Sequence, residues 1–205
     1  MSSPPLTVLT ATPEEEAAIR EAVRKAPGRV IAGPEHVAAL LDLFSDPRVS
    51  DPIYDLPRPF TLESVGNWVA ESRALQLKGE CILAVTLDEA GQVAGYSRFS
   101  VWPDRSSAEL AGAARADRQN TGRGRVGVTS SISWMFDVLG VRLIGLTAAL
   151  DNVRSAAAID GAGFTRMGER ESHRPDGTTR RSLYWEMTRD QWADLRSRYE
   201  NGGGP

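Results

Sequence analysis

Chemistry is most concentrated in the stretch Asp117-Arg118-Gln119-Asn120-Thr121-Gly122-Arg123-Gly124-Arg125. Two glycines fall in it, and four arginines face one aspartate between Arg115 and Arg125. A small-residue run, Glu109 to Ala116, precedes it and reads as a buried strand. Val128, Ile132, Met135, Phe136 and Leu139 follow at helical spacing. Strand, glycine loop and helix start together present unpaired backbone N–H groups and a positive dipole end. Glycines let a phosphate approach the backbone, so the stretch predicts a phosphate-bearing ligand.

Two familiar phosphate loops fit poorly. A P-loop needs Gly-Lys-Ser/Thr at the helix start, and Arg123-Gly124-Arg125 does not supply it. Gly122-Arg123-Gly124-Arg125-Val126-Gly127 satisfies the GxGxxG string of dinucleotide sites. That fingerprint needs an acid at the end of a second parallel strand, and Asp137 falls inside the helix instead. A dinucleotide-dependent oxidoreductase stays as a competing reading.

Gln119-x-x-Gly122-x-Gly124 resembles the pyrophosphate loop of the GNAT superfamily of N-acetyltransferases. Strand 142–148, Asp151-Asn152-Val153-Arg154-Ser155 and Gly163-Phe164 follow in the family's order. Pro34-Glu35-His36 to Asp46-Pro47-Arg48-Val49, Thr61-Leu62-Glu63-Ser64 to Trp68, and Thr188-Arg189-Asp190-Gln191-Trp192 resemble its ribosomal-protein N-terminal (alanine/serine) acetyltransferase branch. The resemblance covers about residues 29–195.

It implies a single α/β domain. The mixed, mostly antiparallel sheet would be splayed between its fourth and fifth strands, with helices on both faces. It implies acetyl-CoA as co-substrate and direct acetyl transfer to a primary amine, on a protein N-terminus or a small molecule. The backbone of Asn120, Thr121, Gly122, Arg123, Gly124 and Arg125 would take the pyrophosphate, after Gln119, with Arg123 and Arg125 adding charge. Gly112 and Ala114 match positions whose main chain pairs with pantetheine, and Asn152 and Ser155 match the next cofactor block. Glu109, ten residues before Gln119, resembles the general base of the histone-acetylating members with the spacing offset by one. The alternative for Glu109 is an exposed carboxylate at a strand end. Many relatives carry a tyrosine where Ile159 stands, and Ile159 cannot donate a proton, so Ser155 is the nearest candidate acid. A non-catalytic coenzyme-A-binding module on the same fold is the alternative function.

These residues need a frame to hold them. Thr12-Pro13-Glu14-Glu15 reads as an N-cap, a proline start and a capping-box glutamate for a helix ending at Pro27-Gly28. Residues 1–28 are thus an extension with one helix, residues 1–11 loosely held. This extension packs on the domain or serves a homodimer or substrate access. Val30-Ile31-Ala32 is a first strand; Val37, Leu40, Leu41 and Phe44 mark an amphipathic helix. Ser45 to Phe60 is a loop, and Val65, Trp68, Val69, Ser72 and Leu75 mark a second helix. Residues 80–87 and 92–101 form a hairpin, and 108–117 is the strand feeding the glycine loop. After the following helix come strand 141–148, helix 152–161 and strands 165–174 and 180–187. Leu183, Trp185 and Met187 alternate with Tyr184 and Glu186, the pattern of a half-buried strand. A capping box at Thr188 and Gln191 opens the last helix. The core domain spans 29–200, and 201–205 is a flexible tail.

The 205 residues are 41% hydrophobic and 25% charged, as in an ordinary globular domain. A net charge of −3 argues against wholesale nucleic-acid binding. Cys81 lies in a buried-strand pattern, reads as core, and rules out an internal disulfide. One cysteine and two distant histidines, His36 and His173, make no metal set. With no long apolar run or signal peptide, no membrane is expected and the cytoplasm is.

Overall fold

A computed structural model describes residues 3–53, 55–119, 123–173 and 177–200, and the side chains of these except 123–126, 173 and 198–200. Thr12 caps the first helix, α1 (Pro13–Lys25), by accepting from the Glu15 N–H at 3.2 Å. The Glu15 carboxylate of the expected capping box also reaches outside the helix, its Oε1 accepting from Ser106 Oγ at 2.6 Å and Arg142 Nε at 2.8 Å. Residues 3–11 are tied down, contrary to expectation. Arg105 Nη2 donates to the Pro5 carbonyl at 2.7 Å, Arg142 Nη2 to the Thr10 carbonyl at 2.6 Å, and the Ala11 N–H to the Asp104 carbonyl at 2.9 Å.

The chain continues through β1 (Val30–Ile31), α2 (Val37–Ser45), a short α3 (Pro47–Ser50) and α4 (Leu62–Lys78). The α3 turn interrupts the stretch read as loop; Asp46 caps it by accepting from the Arg48 N–H. The hairpin is β2 (Cys81–Leu87) and β3 (Val93–Trp102), followed by β4 (Ser107–Ala114). Strand β4 stops before the predicted Asp117 because residues 116–118 turn into a 3-10 segment. Helix α5 (Arg123–Trp134) ends in a π-helical turn, Met135–Leu139, closed by Gly140 at φ 82°. Then come β5 (Leu143–Ala149), α6 (Val153–Gly161), β6 (Thr165–His173), β7 (Thr179–Thr188) and α7 (Arg189–Glu200). At the last helix the expected reciprocal bonds between Thr188 and Gln191 are present.

Among the described residues the sheet has seven strands, in the order β1-β2-β3-β4-β5-β7-β6. Every pairing is antiparallel except β4 with β5. That parallel pairing runs only from Ser107 opposite Leu143 to Glu109 opposite Gly145. Beyond it the strands separate, so the sheet is splayed between its fourth and fifth strands, as expected. A core on one face joins Ile19 and Val23 of α1, Ile132, Met135 and Phe136 around α5, and Trp192 of α7 to the sheet. On the other face Leu40 and Phe44 of α2 and Val65 and Trp68 of α4 pack on Leu83, Val85 and Tyr96. The Phe44 and Tyr96 rings meet edge to face at 5.3 Å, which fixes α2 on the sheet. Cys81 is 1% exposed in this framework, and burial pushes its thiol up, as suits a core residue.

Candidate active site

Directly paired residues on neighbouring strands point to one face of a sheet. One such row reads Ser100, Glu109, Gly145, Glu186 and Thr165, across β3, β4, β5, β7 and β6. It crosses the sheet where the splay begins. Glu109 is 5% exposed and Glu186 4%, so Glu109 is not the exposed strand-end carboxylate of the alternative reading. Thr147 Oγ1 donates to Glu109 Oε1 at 2.9 Å. The Tyr184 hydroxyl donates to Glu186 Oε1 at 2.9 Å, and the Thr7 N–H donates to the same oxygen at 3.0 Å. Gly145 has no side chain between the two carboxylates, and a Cβ there would lie 2.6 Å from the Tyr184 hydroxyl. That hydroxyl therefore hangs over the vertex. Burial, then the Glu186 charge beside it, push the Tyr184 phenol far above its ordinary range.

The loop between α3 and α4 roofs this floor. Arg180 Nη1 of β7 donates to the Pro52 carbonyl at 3.2 Å, while Arg98 Nη1 of β3 lies 3.7 Å from Asp55 Oδ2. The loop thus reaches from one wing of the splayed sheet to the other. Arg58 braces it from within, donating to the carbonyls of Ser50 and Ile53. Trp68 is buried in the core beneath α4 and does not line the cleft as a free aromatic. His36 accepts from the Gly33 N–H at 3.0 Å and has a local structural role.

On the other side of the vertex stand the residues that resemble a cofactor site. Among the described residues, strand β4 has no partner on the β5 side above Glu109, and Gly112 is exposed there. Its backbone approaches β3 so closely that a Cβ would lie 2.5 Å from the Tyr96 carbonyl oxygen. Ala114 is half-buried, and its carbonyl accepts from Gln119 Nε2 at 3.0 Å. Gln119 Oε1 in turn accepts from Arg154 Nη1 at 3.1 Å, tying the end of β4 to α6 across the splay. Asn152 caps α6, its Oδ1 accepting from the Ser155 N–H at 3.1 Å. Ser155 is half-buried in the first turn of that helix, and Ile159 packs against the core.

Asn120, Thr121 and Gly122 lie outside the described residues, as do the side chains of Arg123 and Arg125. The backbone of Arg123, Gly124 and Arg125 opens α5, so a helix N-terminus does follow the glycine loop. The arginine cluster is less electropositive than its count implies. Arg115 and Arg118 reach Asp88 of the β2–β3 turn at 3.6 and 3.5 Å, and Arg115 also binds Asp117 at 2.8 Å. Sequence reasoning missed Thr147, Tyr184, Glu186 and the roof contacts. The only signal was the alternation of Tyr184 and Glu186 along a strand.

An unpaired strand edge, a small-residue stretch and a helix start can seat an extended, phosphate-ended ligand with its reactive end at Glu109. The dinucleotide reading loses its frame, because such sites need a parallel sheet and this one is mostly antiparallel. No described helix is long and apolar enough to cross a membrane.

Solved structures carry the same fold. The ribosomal-protein-S5-alanine acetyltransferase of Vibrio fischeri is 18% identical with a TM-score of 0.65, over 79% of this chain and 92% of that one. RimJ of Mycobacterium smegmatis, solved with CoA-disulfide, is 17% identical at 0.66, over 78% and 81%. A chimeric spermidine N-acetyltransferase combining sequence from Vibrio cholerae and hSSAT is 14% identical at 0.65, over 80% and 98%. A sequence comparison with curated proteins finds no match. The acetyltransferase (GNAT) domain pattern matches residues 31–165, well over half of the chain, from β1 to the start of β6. The chain belongs to the GNAT acetyltransferase family.

Proposed function

We propose that the protein moves the acetyl group of acetyl-CoA to a primary amine by direct attack within a ternary complex. The observation that carries this is the vertex: a buried carboxylate, Glu109, fixed by Thr147 where the parallel pairing ends. Acetyl-CoA supplies an activated acetyl group as a thioester. The unpaired edge of β4 around Gly112 and Ala114 would hold its pantetheine arm. The turn after Gln119 and the start of α5, from Asn120 to Arg125, would hold its pyrophosphate, with Asn152 and Ser155 on the facing wing.

Glu109 takes the proton of the incoming ammonium, directly or through water, which leaves the nitrogen lone pair for the acyl carbon. Backbone N–H groups on the open edge of β4 face the developing oxyanion. As the adduct collapses the C–S bond breaks, and the second proton of the nitrogen passes through the Ser155 hydroxyl, which gives up its own, to the departing thiolate. Fold neighbours that modify alanine, serine or spermidine support an amine as the acceptor class.

Calorimetric titration of acetyl-CoA, with NADH as comparison, tests the donor side. Micromolar binding of acetyl-CoA alone is expected, and silence would sink the assignment. Glu109→Gln should then lower kcat by about 100-fold, the usual worth of a general base, with little loss of acetyl-CoA affinity. Unchanged turnover across pH would remove Glu109 from the chemistry.

A further inference from the structure

One part of the roofed cleft is not used by acetyl transfer as described. Arg170 of β6 lies over the Tyr184 ring, its guanidinium carbon 4.6 Å from the ring centroid. Its Nη1 is buried and makes no hydrogen bond. A buried charged donor without a partner is costly, and stacking on a ring offsets only roughly 0.5–2 kcal/mol of that cost. An anionic group on this nitrogen would offset that cost.

Register places the group. Arg170 pairs with Ser182, two residues before Tyr184 on β7, so it shares the face of Tyr184 and Glu186. Arg170 covers the face of the Tyr184 ring, whose hydroxyl hangs over Gly145. Carboxylates therefore stand at the base of the cleft, with a spare N–H one tyrosine away. Among the described residues of this face, Arg98 is opposite Asp55 and Arg180 holds the Pro52 carbonyl, whereas no salt bridge engages Arg170.

We propose that the acceptor is a free amino acid, its amine at Glu109 and its carboxylate on Arg170 Nη1. This rests on the acetyltransferase reading and narrows its substrate. A free amino acid carries its carboxylate within a few bonds of its amine and offers this guanidinium an opposite charge. A peptide N-terminus offers a neutral carbonyl at that distance and leaves the guanidinium unsatisfied. A polyamine brings a second cation against it, which is a repulsive arrangement.

The test compares acids with their amides on CoA-saturated protein: alanine, β-alanine and γ-aminobutyrate, each against its amide, in binding and in acetylation. At least one acid should bind and react about tenfold or more better than its amide, the usual worth of a charge-assisted pair. Arg170→Met, which keeps an apolar stem on the ring, should bring the acid down to its amide and leave the amide unchanged. Equal behaviour of acids and amides in the wild-type protein overturns the inference and needs no variant. So does a loss in Arg170→Met that is equal for acid and amide, since that reports packing alone. Peptide or spermidine acetylation without carboxylate preference sinks this inference and leaves acetyl transfer standing. Carboxylate-dependent binding with no acetylation of any amine does the reverse.

Discussion

Gly145 decides where the Tyr184 hydroxyl can be, and through it how Glu186 is held. The hydroxyl occupies the volume a side chain would need: a Cβ at 145 would also lie 3.2 and 3.3 Å from the ring atoms Cε2 and Cζ. The ring cannot simply swing away, because Arg170 covers it and the strand is buried. Gly145→Ala should therefore destabilise the fold by about 1–3 kcal/mol, the range for overpacking a full core. Urea unfolding reads this as a lower midpoint at unchanged slope. Adding Tyr184→Phe, which deletes the clashing oxygen, should recover part of the loss, and a neutral Gly145→Ala would show that the hydroxyl has room. The sequence could not reveal this. Alternation separated Tyr184 and Glu186 from Leu183, Trp185 and Met187 correctly, yet the polar face was assigned to solvent. It faces a cleft covered by residues 3–11 and the roof loop, so β7 is buried on both sides. Glu109 could be singled out as a candidate because it stands ten residues before Gln119 of the glycine motif, one off the family spacing. Thr147, Tyr184 and Arg170 have no motif, and only long-range register brings them together.

Helix α1 is fastened to the sheet by one carboxylate rather than by its apolar face alone. Glu15 accepts from Ser106 and Arg142, and Ser106 is a fully buried residue held at φ 44° between β3 and β4. Burial by itself raises the Glu15 carboxyl; the hydrogen bonds from Ser106 and Arg142 outweigh it, and the net shift is downward from 4.5. A carboxylate whose pKa is lowered by folding contributes stability that is complete above its unfolded value. That contribution fades as pH falls below 4.5 through the folded value. Glu15→Gln, which keeps one acceptor oxygen but no charge, should cost about 1–2 kcal/mol at neutral pH. The gap to wild type should narrow as pH falls below 4.5 and the folded carboxyl takes up its proton. A gap constant with pH in urea midpoints would mean that the charge contributes nothing. Thr12 and its proline were read correctly as a helix start because capping is local. The partner of Glu15 was not, since Ser106 and Arg142 are distant in sequence and meet it only once the sheet has formed.

At the scale of the molecule, β4 and β5 are, among the described residues, the one parallel join in a sheet otherwise held by antiparallel ladders, and that join is three residue pairs long. Side chains also link the two wings: Thr147 to Glu109 at the vertex, Gln119 to Arg154 at one side of the cleft, and the roof loop at the other. The order of elements was legible because the family's motifs recur along the chain, and the splay came with that resemblance rather than with any pattern of residues. Its mechanical consequence is that the upper parts of β4 and β5 have amides with no strand to bond to, so they should exchange with solvent by local opening. Amides deep in β2 and β3 exchange only when the whole domain unfolds. A ligand at 100 times its Kd adds about 2.7 kcal/mol to global stability and slows every globally exchanging amide by the same factor, about 100-fold. Acetyl-CoA bound in the splay must do more than that to residues 110–114, because it supplies the partners their strand edge lacks. Hydrogen exchange with and without acetyl-CoA should therefore show new protection in 110–114 beyond the common factor, with 119–127 protected as well. Uniform slowing, with 110–114 unchanged relative to β2, would place the bound coenzyme somewhere other than the splay.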